Sequence, residues 1–590
     1  MTAFGGKSTG EATLNGKPLT VESFNTDCFV VTQQDNHWPF LTCYETVSYA
    51  AQLYLGKDAA GVKANVDSVV KKMGLESCQN TRVGNMFIQG LSGGQKRRLS
   101  IALALIKQPT LMFFDEPTSG LDAAAAANIM REITTLAQEE NLCIVATIHQ
   151  PSSKVYQRFD QIMILSGGRE AFCGTLPETK PYFESLGYPL IDDTNPAEYF
   201  LDLVNNVNLR LPQQPPPKSR SPFSHASLAQ QDFVEQAEVD KILDSWAETK
   251  ASGGMKSAES AEKLATLADA KPLDSPRSAL LDKKTGICHE MECMMRRHAL
   301  LVARDPILYI GRAMIFLMSN LYFSAVYIEA RTRTQDQVLN RMWLCVWYIG
   351  VPANMGVVAV YALNEEYKSI AKEIKNGMVS PYSYVLAKTL LEIPIMFFFA
   401  FAALGISAYG IMNFEPAGLG MMVLTWTASI YCFEAMSESL AVAFDNPLLG
   451  MMQFMGIWFS AFLYGGFLIP GSDMIWPLKI FFYIMPMKYT IRTMVYSDFI
   501  HSEYDSCDKN KYEGELCFGQ DGDDVLDNLG KVMPLITSKD HSLEDIMILL
   551  AMAVFYKLIY VVILITKSRA VTTIVPAEGK GSSVQVDLKV

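Results

Sequence analysis

The chain has 590 residues, a formal net charge of −12, 49% hydrophobic residues and only 19% charged ones. This composition excludes a chain disordered throughout, a small disulfide scaffold and a protein driven by a basic nucleic-acid patch, so no nucleic-acid partner is expected. The average conceals a division: the first half is ordinary and polar, whereas from Ile307 onward uncharged apolar runs of about 20 residues recur.

In chain order, Met1–Thr20 carries turn residues and no apolar core segment, so no secretory signal is expected and the first half reads as cytosolic. Up to about Asn205, short apolar strands such as Leu111–Phe114 and Leu142–Ile148 alternate with helical stretches, as a parallel sheet requires. Ile162–Gly174 holds two apolar runs around Ser166-Gly167-Gly168-Arg169, the pattern of a hairpin. Residues 1–210 are thus expected to form one α/β domain. The Pro-rich run Pro212–Lys218 and the Ala/Ser/Gly/Lys/Glu-rich run Ser252–Asp269 make 211–286 a flexible linker, with at most transient helix and no packed core. Ile287–Asp305 carries Arg296, Arg297 and Arg304 beside Met and Leu, which predicts an amphipathic connecting helix over 287–306 on the inner membrane surface.

Six spans are expected over 307–569: Ile307–Ile328, Met342–Leu363, Thr389–Met412, Leu419–Phe444, Met451–Ile469 and Ile546–Ile565. An even number places both termini, including a tail over 570–590, in the cytosol. The basic groups at Lys283–Arg304, Lys368–Lys375 and Lys567–Arg569 then fall inside, while Arg331, Arg333 and Arg341 fall outside against the trend. The acidic stretch Pro470–Asp545 is outside and contains two of the 11 cysteines, Cys507 and Cys517. An oxidising location permits a bridge between them, the alternative being two buried or unpaired thiols.

The chemistry-bearing residues come in a fixed order. Leu111–Phe114 would deliver Asp115 to the C-terminal edge of a sheet, where its carboxylate can hold Mg²⁺ directly or through water. Glu116 is then placed to polarise a water that attacks a γ-phosphate, and His149, after the next strand, can contact the same phosphate. Ser92-Gly93-Gly94-Gln95 opens a helix whose free N–H groups face an anion. Asp122 follows in Ser119-Gly120-Leu121-Asp122.

With these motifs the chain resembles the ATP-binding cassette transporters, specifically the G subfamily of White–brown type half-transporters. Val31-Thr32-Gln33-Gln34-Asp35 resembles the Q-loop, with Gln33 in the place of a Mg²⁺-sensing glutamine. Gly93–Ser100, Thr147–Ser153 and Asn195–Phe200 are similar to nucleotide-domain segments of that subfamily. Ser383–Thr389, Gly465–Pro470, Pro486–Arg492 and Gly522–Leu526 resemble segments of its membrane half.

The fold implied is an α/β P-loop-type nucleotide-binding domain followed by an all-α six-helix transmembrane domain. The resemblance implies ATP and Mg²⁺ as cofactors. Glu116 and His149 would be catalytic; Gln33, Ser92, Gly93, Gly94, Gln95, Asp115 and Asp122 would bind ATP; Gln33 and Asp115 would hold the metal.

The family's phosphate loop, G-x-x-x-x-G-K-[ST], is missing before Gln33. Gly6-Lys7-Ser8 lacks the partner glycine and a preceding strand, and matches better the turn that follows the phosphate-loop helix. The nucleotide domain is therefore expected to be incomplete at its N-terminus, either through truncation of the sequence or as a real short form.

In the membrane half, Glu434 and Glu438 share a helix face, Glu392 opens the third span and Lys557 lies inside the sixth. Helix-to-helix hydrogen bonding and substrate contact are both open to the carboxylates. The resemblance implies a hydrophobic plug at Phe467 and Leu468, a cavity lined by Gly350–Met355 and Phe459–Gly465, and a coupling helix at Glu365–Gly377.

The functional expectation is an ABC-type ATPase coupled to export of a lipid, sterol or xenobiotic. It would act as a homodimer or heterodimer, among membrane lipids, at the plasma membrane or an organelle membrane. The alternative is a catalytically silent subunit whose signature loop completes a partner's ATP site.

Overall fold

The computed structural model describes residues 8–9, 13–14, 17–56, 59–85, 88–190, 194–205, 226–251, 286–505, 517–568, 573–576 and 584–587. Three parallel strands form the centre of the first domain: β1 (Cys28–Val31), β2 (Leu111–Asp115) and β3 (Cys143–Thr147), in that spatial order. Val31 lies opposite Phe114, and Asp115 opposite Thr147. Their connections contain α1 (Cys43–Leu55), α2 (Gly93–Lys107) and α3 (Ala123–Glu139). Each of these helices begins at a side-chain cap, from Thr42, Ser92 and Asp122 respectively. The expected hairpin is β4 (Gln161–Ser166) and β5 (Arg169–Thr175), whose turn uses Gly167 and Gly168 at positive φ.

The expectation that 211–286 holds no packed core is corrected by α4 (Ala226–Ala251). Its Ile242, Leu243 and Trp246 are buried against Phe172, Tyr182 and Phe183 beside the hairpin. Val239, Ile242, Leu243 and Trp246 recur at three- and four-residue intervals, an apolar stripe that the surrounding charge disguises.

The connecting helix α5 (Ile287–Arg304) has the expected extent. It buries Cys293, Met294, Arg297 and His298. His289 meets the Gln52 carbonyl of α1 at 3.1 Å, and Arg304 forks onto Glu45 at 2.7 and 2.9 Å.

The helical half follows as α6 (Arg312–Val326), α7 (Val338–Asn354), α8 (Gly356–Lys375), α9 (Pro381–Leu404), α10 (Leu419–Ala443) and α11 (Pro447–Leu463). The stretch expected outside then holds α12 (Lys479–Ile484), α13 (Pro486–Phe499) and α14 (Gly522–Val532), before the long α15 (Ser542–Ser568).

Among the described residues, four helical stretches are long and apolar enough to cross a membrane: Gln335–Lys375, Pro381–Ile411, Pro416–Ala443 and Ser542–Ser568. The expected first and fifth spans are shorter as regular helix. α6 has 15 residues after a π-helical turn at Pro306–Gly311, and α11 has 17.

α10 is apolar and buried almost all round because it is the central helix, packed on α8, α9, α13 and α15. α8 and α11 approach closely at Gly356, where an added Cβ would lie 2.3 Å from the Phe454 ring. Of Arg331, Arg333 and Arg341, which oppose the inside-positive trend in the expected topology, the last two are neutralised. Arg341 forks onto Asp498 at 2.6 and 2.9 Å with both side chains wholly buried, and Arg333 meets Glu415 at 3.2 Å.

Candidate nucleotide site and its connection to the membrane domain

At the C-terminal edge of the sheet, the parallel register of β2 and β3 sets Asp115 beside Thr147. The Thr147 hydroxyl donates to Asp115 Oδ1 at 2.8 Å and accepts from the Glu116 N–H at 3.1 Å. One threonine thus aligns both acidic residues, and nothing in the sequence pattern singled it out. Glu116 takes a positive φ of 41°, which turns its side chain off the strand line. The Gln33 amide donates to Glu116 Oε2 at 2.7 Å and approaches the Ser119 hydroxyl at 3.5 Å. Gln33, Asp115, Glu116 and Thr147 therefore form one connected group. His149 is exposed two residues beyond Thr147, after β3 ends.

The signature segment lies at the start of α2. The Ser92 hydroxyl accepts from the Gln95 N–H at 3.3 Å, while the Gln95 side chain accepts from the Ser92 N–H at 2.9 Å. Among the described residues, an added Cβ at Gly94 would meet nothing within 4 Å, so the helix start is open on that side. Asp122 caps α3 by accepting from the N–H groups of Ala124 and Ala125 at 3.0 and 2.9 Å. Arg97 ties α2 to the Gln33 loop by donating to the carbonyls of Thr32 and Gln33 at 2.8 and 2.7 Å.

The donor set suits Mg²⁺: Asp115, Gln33 and Glu116 offer hard oxygens, two or fewer carboxylates being usual when phosphates and water complete the shell. Among the described residues no group of three or more His, Cys, Asp or Glu forms a self-sufficient metal cage. Lys7 lies outside the described residues.

Behind this edge the nucleotide domain joins the end of α8, a connection that sequence reasoning anticipated as a helix but not in its contacts. The Asn376 side chain extends β1 as a surrogate strand: its Oδ1 accepts from the Val30 N–H at 2.9 Å and its Nδ2 donates to the Val30 carbonyl at 3.2 Å. Glu373 accepts from the Trp38 indole at 2.6 Å and from both Arg297 nitrogens at 2.9 and 2.8 Å. The Arg297 guanidinium also lies over the Trp38 ring at 4.5 Å.

Lys372 donates to the Ser100 hydroxyl at 3.0 Å, which in turn donates to Asp35 at 2.6 Å and meets His37 Nε2 at 2.9 Å. Burial, and then the charge of Lys372, hold His37 well below the ordinary 6.5. Lys107 donates to the carbonyls of Cys28 and Asn376 at 2.7 and 2.8 Å, and burial lowers its pKa to about 8. The expected coupling segment, Glu365–Gly377, thus runs from within α8 through Asn376 to the Gly377 turn. It reaches the Gln33 loop through Ser100, Asp35 and Arg97, Arg97 Nε standing 3.3 Å from Asp35.

In the membrane half, Glu434 is held by Arg312 at 2.6 and 3.2 Å, and Glu438 lies 3.4 Å from Lys388 and 2.5 Å from Lys557. The segments expected to line a cavity touch each other: Phe462 lies 3.6 Å from the Cβ position of Gly350, and the Trp458 indole, just before the second segment, donates to the Gly350 carbonyl at 3.1 Å. Phe467 is buried against Trp343 and Phe462, whereas Leu468 is exposed. Gly466 before them adopts φ 87°, a conformation that favours glycine. Cys517 is disulfide-bonded, and its expected partner Cys507 lies outside the described residues.

Comparison with known families places an ABC transporter match over residues 2–119 and ABC-2 type transporter matches over 149–260 and 289–499. ABC transporter G family member 11 of Arabidopsis thaliana is 28% identical over 572 residues, covering 94% of this chain and 77% of that protein. ATP-binding cassette sub-family G member 8 of Homo sapiens is 29% identical over 486 residues, covering 80% of this chain and 68% of that protein. ABC transporter G family member 25 of A. thaliana is 41% identical over 205 residues, covering 34% of this chain and 31% of that protein.

Proposed function

Given that the chain belongs to the ABC transporters and has G-family members as relatives, we propose that it is a half-transporter that dimerises and exports a hydrophobic or amphipathic substrate. The observation that carries this reading is the unbroken polar contact between the Gln33–Glu116 group and the membrane domain through Arg97, Asp35, Ser100 and Lys372.

In this reading Asp115 and Gln33 would hold Mg²⁺, which when bound neutralises phosphate charge. Glu116 orients and deprotonates the attacking water, with its carboxylate aimed by the positive-φ turn. Thr147 keeps Asp115 and Glu116 in mutual register. Ser92 and the open start of α2 would face the partner's bound phosphate across a dimer interface, while His149 would contact the same γ-phosphate as Glu116. Six spans with both termini in the cytosol, a plug at Phe467 and Leu468, and a disulfide between Cys507 and Cys517 belong to the same proposal.

The test is reconstitution of the full-length protein in proteoliposomes, with ATP hydrolysis and ATP-dependent movement of a fluorescent phospholipid analogue and a sterol analogue read together. The expected result is transport of at least one probe, lost in Glu116→Gln. ATP-dependent movement that persists unchanged in Glu116→Gln, or a wild type that binds a partner without hydrolysing ATP, would overturn the reading; the latter outcome selects the silent-subunit alternative.

A further inference from the structure

From Met474 to Lys488 the chain carries no acidic residue and two basic ones, Lys479 and Lys488. α12 lies within this run, and none of its residues is buried. Ile475, Trp476, Leu478, Ile480, Tyr483 and Ile484 are each 39–70% exposed, a cluster of large apolar and aromatic side chains. Such a cluster suits the boundary between membrane and water, where Trp and Tyr sit at headgroup level.

Lys488, in the first turn of α13, is clasped by aromatic rings. Its nitrogen lies 4.1 Å from the centre of the Phe482 ring and 4.9 Å from those of Tyr483 and Tyr489. The rings are held in place. The Tyr489 hydroxyl donates to the Tyr483 carbonyl at 2.7 Å, and Phe482 fills the space beside Gly466 and Gly471, where an added Cβ would lie 2.6 and 2.8 Å from it.

No carboxylate answers this ammonium. Those whose charge reaches it are Asp545 and Glu544 at the start of α15. Asp545 is wholly buried and accepts from Arg492 Nε at 2.9 Å and from the Thr493 hydroxyl at 2.7 Å, so that Arg492 and Asp545 sum to zero. Glu544 meets His541 Nδ1 at 2.8 Å. Among the described residues Lys488 makes no hydrogen bond and no ion pair, and only 8% of it is exposed. Burial, and then Arg492, draw its pKa below the ordinary 10.5, the direction expected of an ammonium short of an anion.

A mostly buried ammonium beside an exposed apolar segment is complemented by a ligand that supplies an anion and hydrocarbon together. We propose that this corner binds a membrane phospholipid, whose phosphodiester oxygen accepts from Lys488 and whose acyl chains cover α12 and the Ile475–Leu478 turn. The site requires only that the helical half lies in a membrane, and it does not depend on which substrate is moved.

Photolabelling of the full-length protein in phosphatidylcholine nanodiscs tests this. Two probes carrying a diazirine on one acyl chain, a phosphatidylcholine and a diacylglycerol without phosphate, are doped in at equal mole fraction. Labelling of the Met474–Lys488 peptide is read against that of the exposed α15 residues Val554, Phe555, Leu558 and Val562. The phosphatidylcholine probe should label the peptide about fivefold more than the diacylglycerol. Lys488→Met should equalise the two probes with α15 labelling unchanged, whereas Lys539→Met, at an exposed position of the same stretch, should keep the preference.

Equal labelling by both probes in the wild type, or none on the peptide, overturns the proposal without any variant having to fold. A preference that survives Lys488→Met overturns it too. Loss of the preference in excess inorganic phosphate would assign the site to the free anion and overturn the lipid.

Discussion

The two sides of the nucleotide domain hold their polar groups by different means. On the edge where β2 ends, Gln33, Ser92, Asp115, Asp122 and His149 are exposed, and they are positioned largely by backbone geometry: strand ends, helix starts and the positive φ at Glu116. On the side facing α8, Trp38, His37, Arg97 and Lys107 are buried together with Arg297 of α5 and Lys372 of α8, and nearly every one is held by a named partner. The first arrangement leaves surfaces open for a ligand to complete. The second is already complete, so that displacement of one member disturbs the next. An open edge and a packed face treat the same residue types in opposite ways.

Substitutions can break this contrast. The largest expected effect is Arg297→Gln, which leaves the mostly buried Glu373 against Trp38 without its guanidinium. A loss of about 3–5 kcal/mol in stability is expected, read as a lowered thermal unfolding midpoint in nanodiscs. Glu116→Gln should leave that midpoint unchanged and lower the ATP hydrolysis rate of the full-length protein about 10²–10⁴-fold. If the two variants gave the same pattern, the division between edge and face would be wrong.

Asn376→Ala removes both side-chain bonds to Val30 and should cost about 1–3 kcal/mol. Its sharper signature is hydrolysis retained with transport reduced, measured in the same proteoliposomes.

His37 supplies a pH test of the buried face. Burial and the charge of Lys372 lower its folded pKa below 6.5, so below that pH the unfolded chain binds more protons than the native one. The stability is fully present above pH 6.5 and is lost as pH falls below it, by about 1.4 kcal/mol per unit. Unfolding midpoints collected from neutral to acid pH should fall less steeply in His37→Gln. The smallest effect belongs to the edge: Ser92→Ala removes a cap at the start of α2 and should cost about 1 kcal/mol in stability.

Much of this was legible in the residues. The Leu111–Asp115 strand, the helix opened by Ser92, the hairpin at Gly167-Gly168 and the connecting helix beginning at Ile287 lie where local patterning predicts them. These are short-range consequences of apolar periodicity, capping and turn chemistry. The stripe from Val239 to Trp246 was equally local but hidden in a charged, linker-like composition, and it took the exposed apolar surface of the hairpin to give it a partner. Thr147 was invisible for another reason: a threonine in a strand is ordinary until the parallel register sets it against Asp115.

The charged residues divide along the same line. Sequence alone determined that this chain has a polar α/β half and a helical apolar half, and it set Asp115 and Glu116 at a strand end and Ser92 at a helix start, because spacing along one segment dictates what a strand end or helix start presents. Which charge answers which was decided only by tertiary structure. Arg341 with Asp498, Arg297 with Glu373, and Lys388 among Glu366, Glu392 and Glu438 join positions far apart in the chain. Burial makes an unpaired charge expensive in a way that no local propensity encodes, so those pairings exist only once the helices have packed.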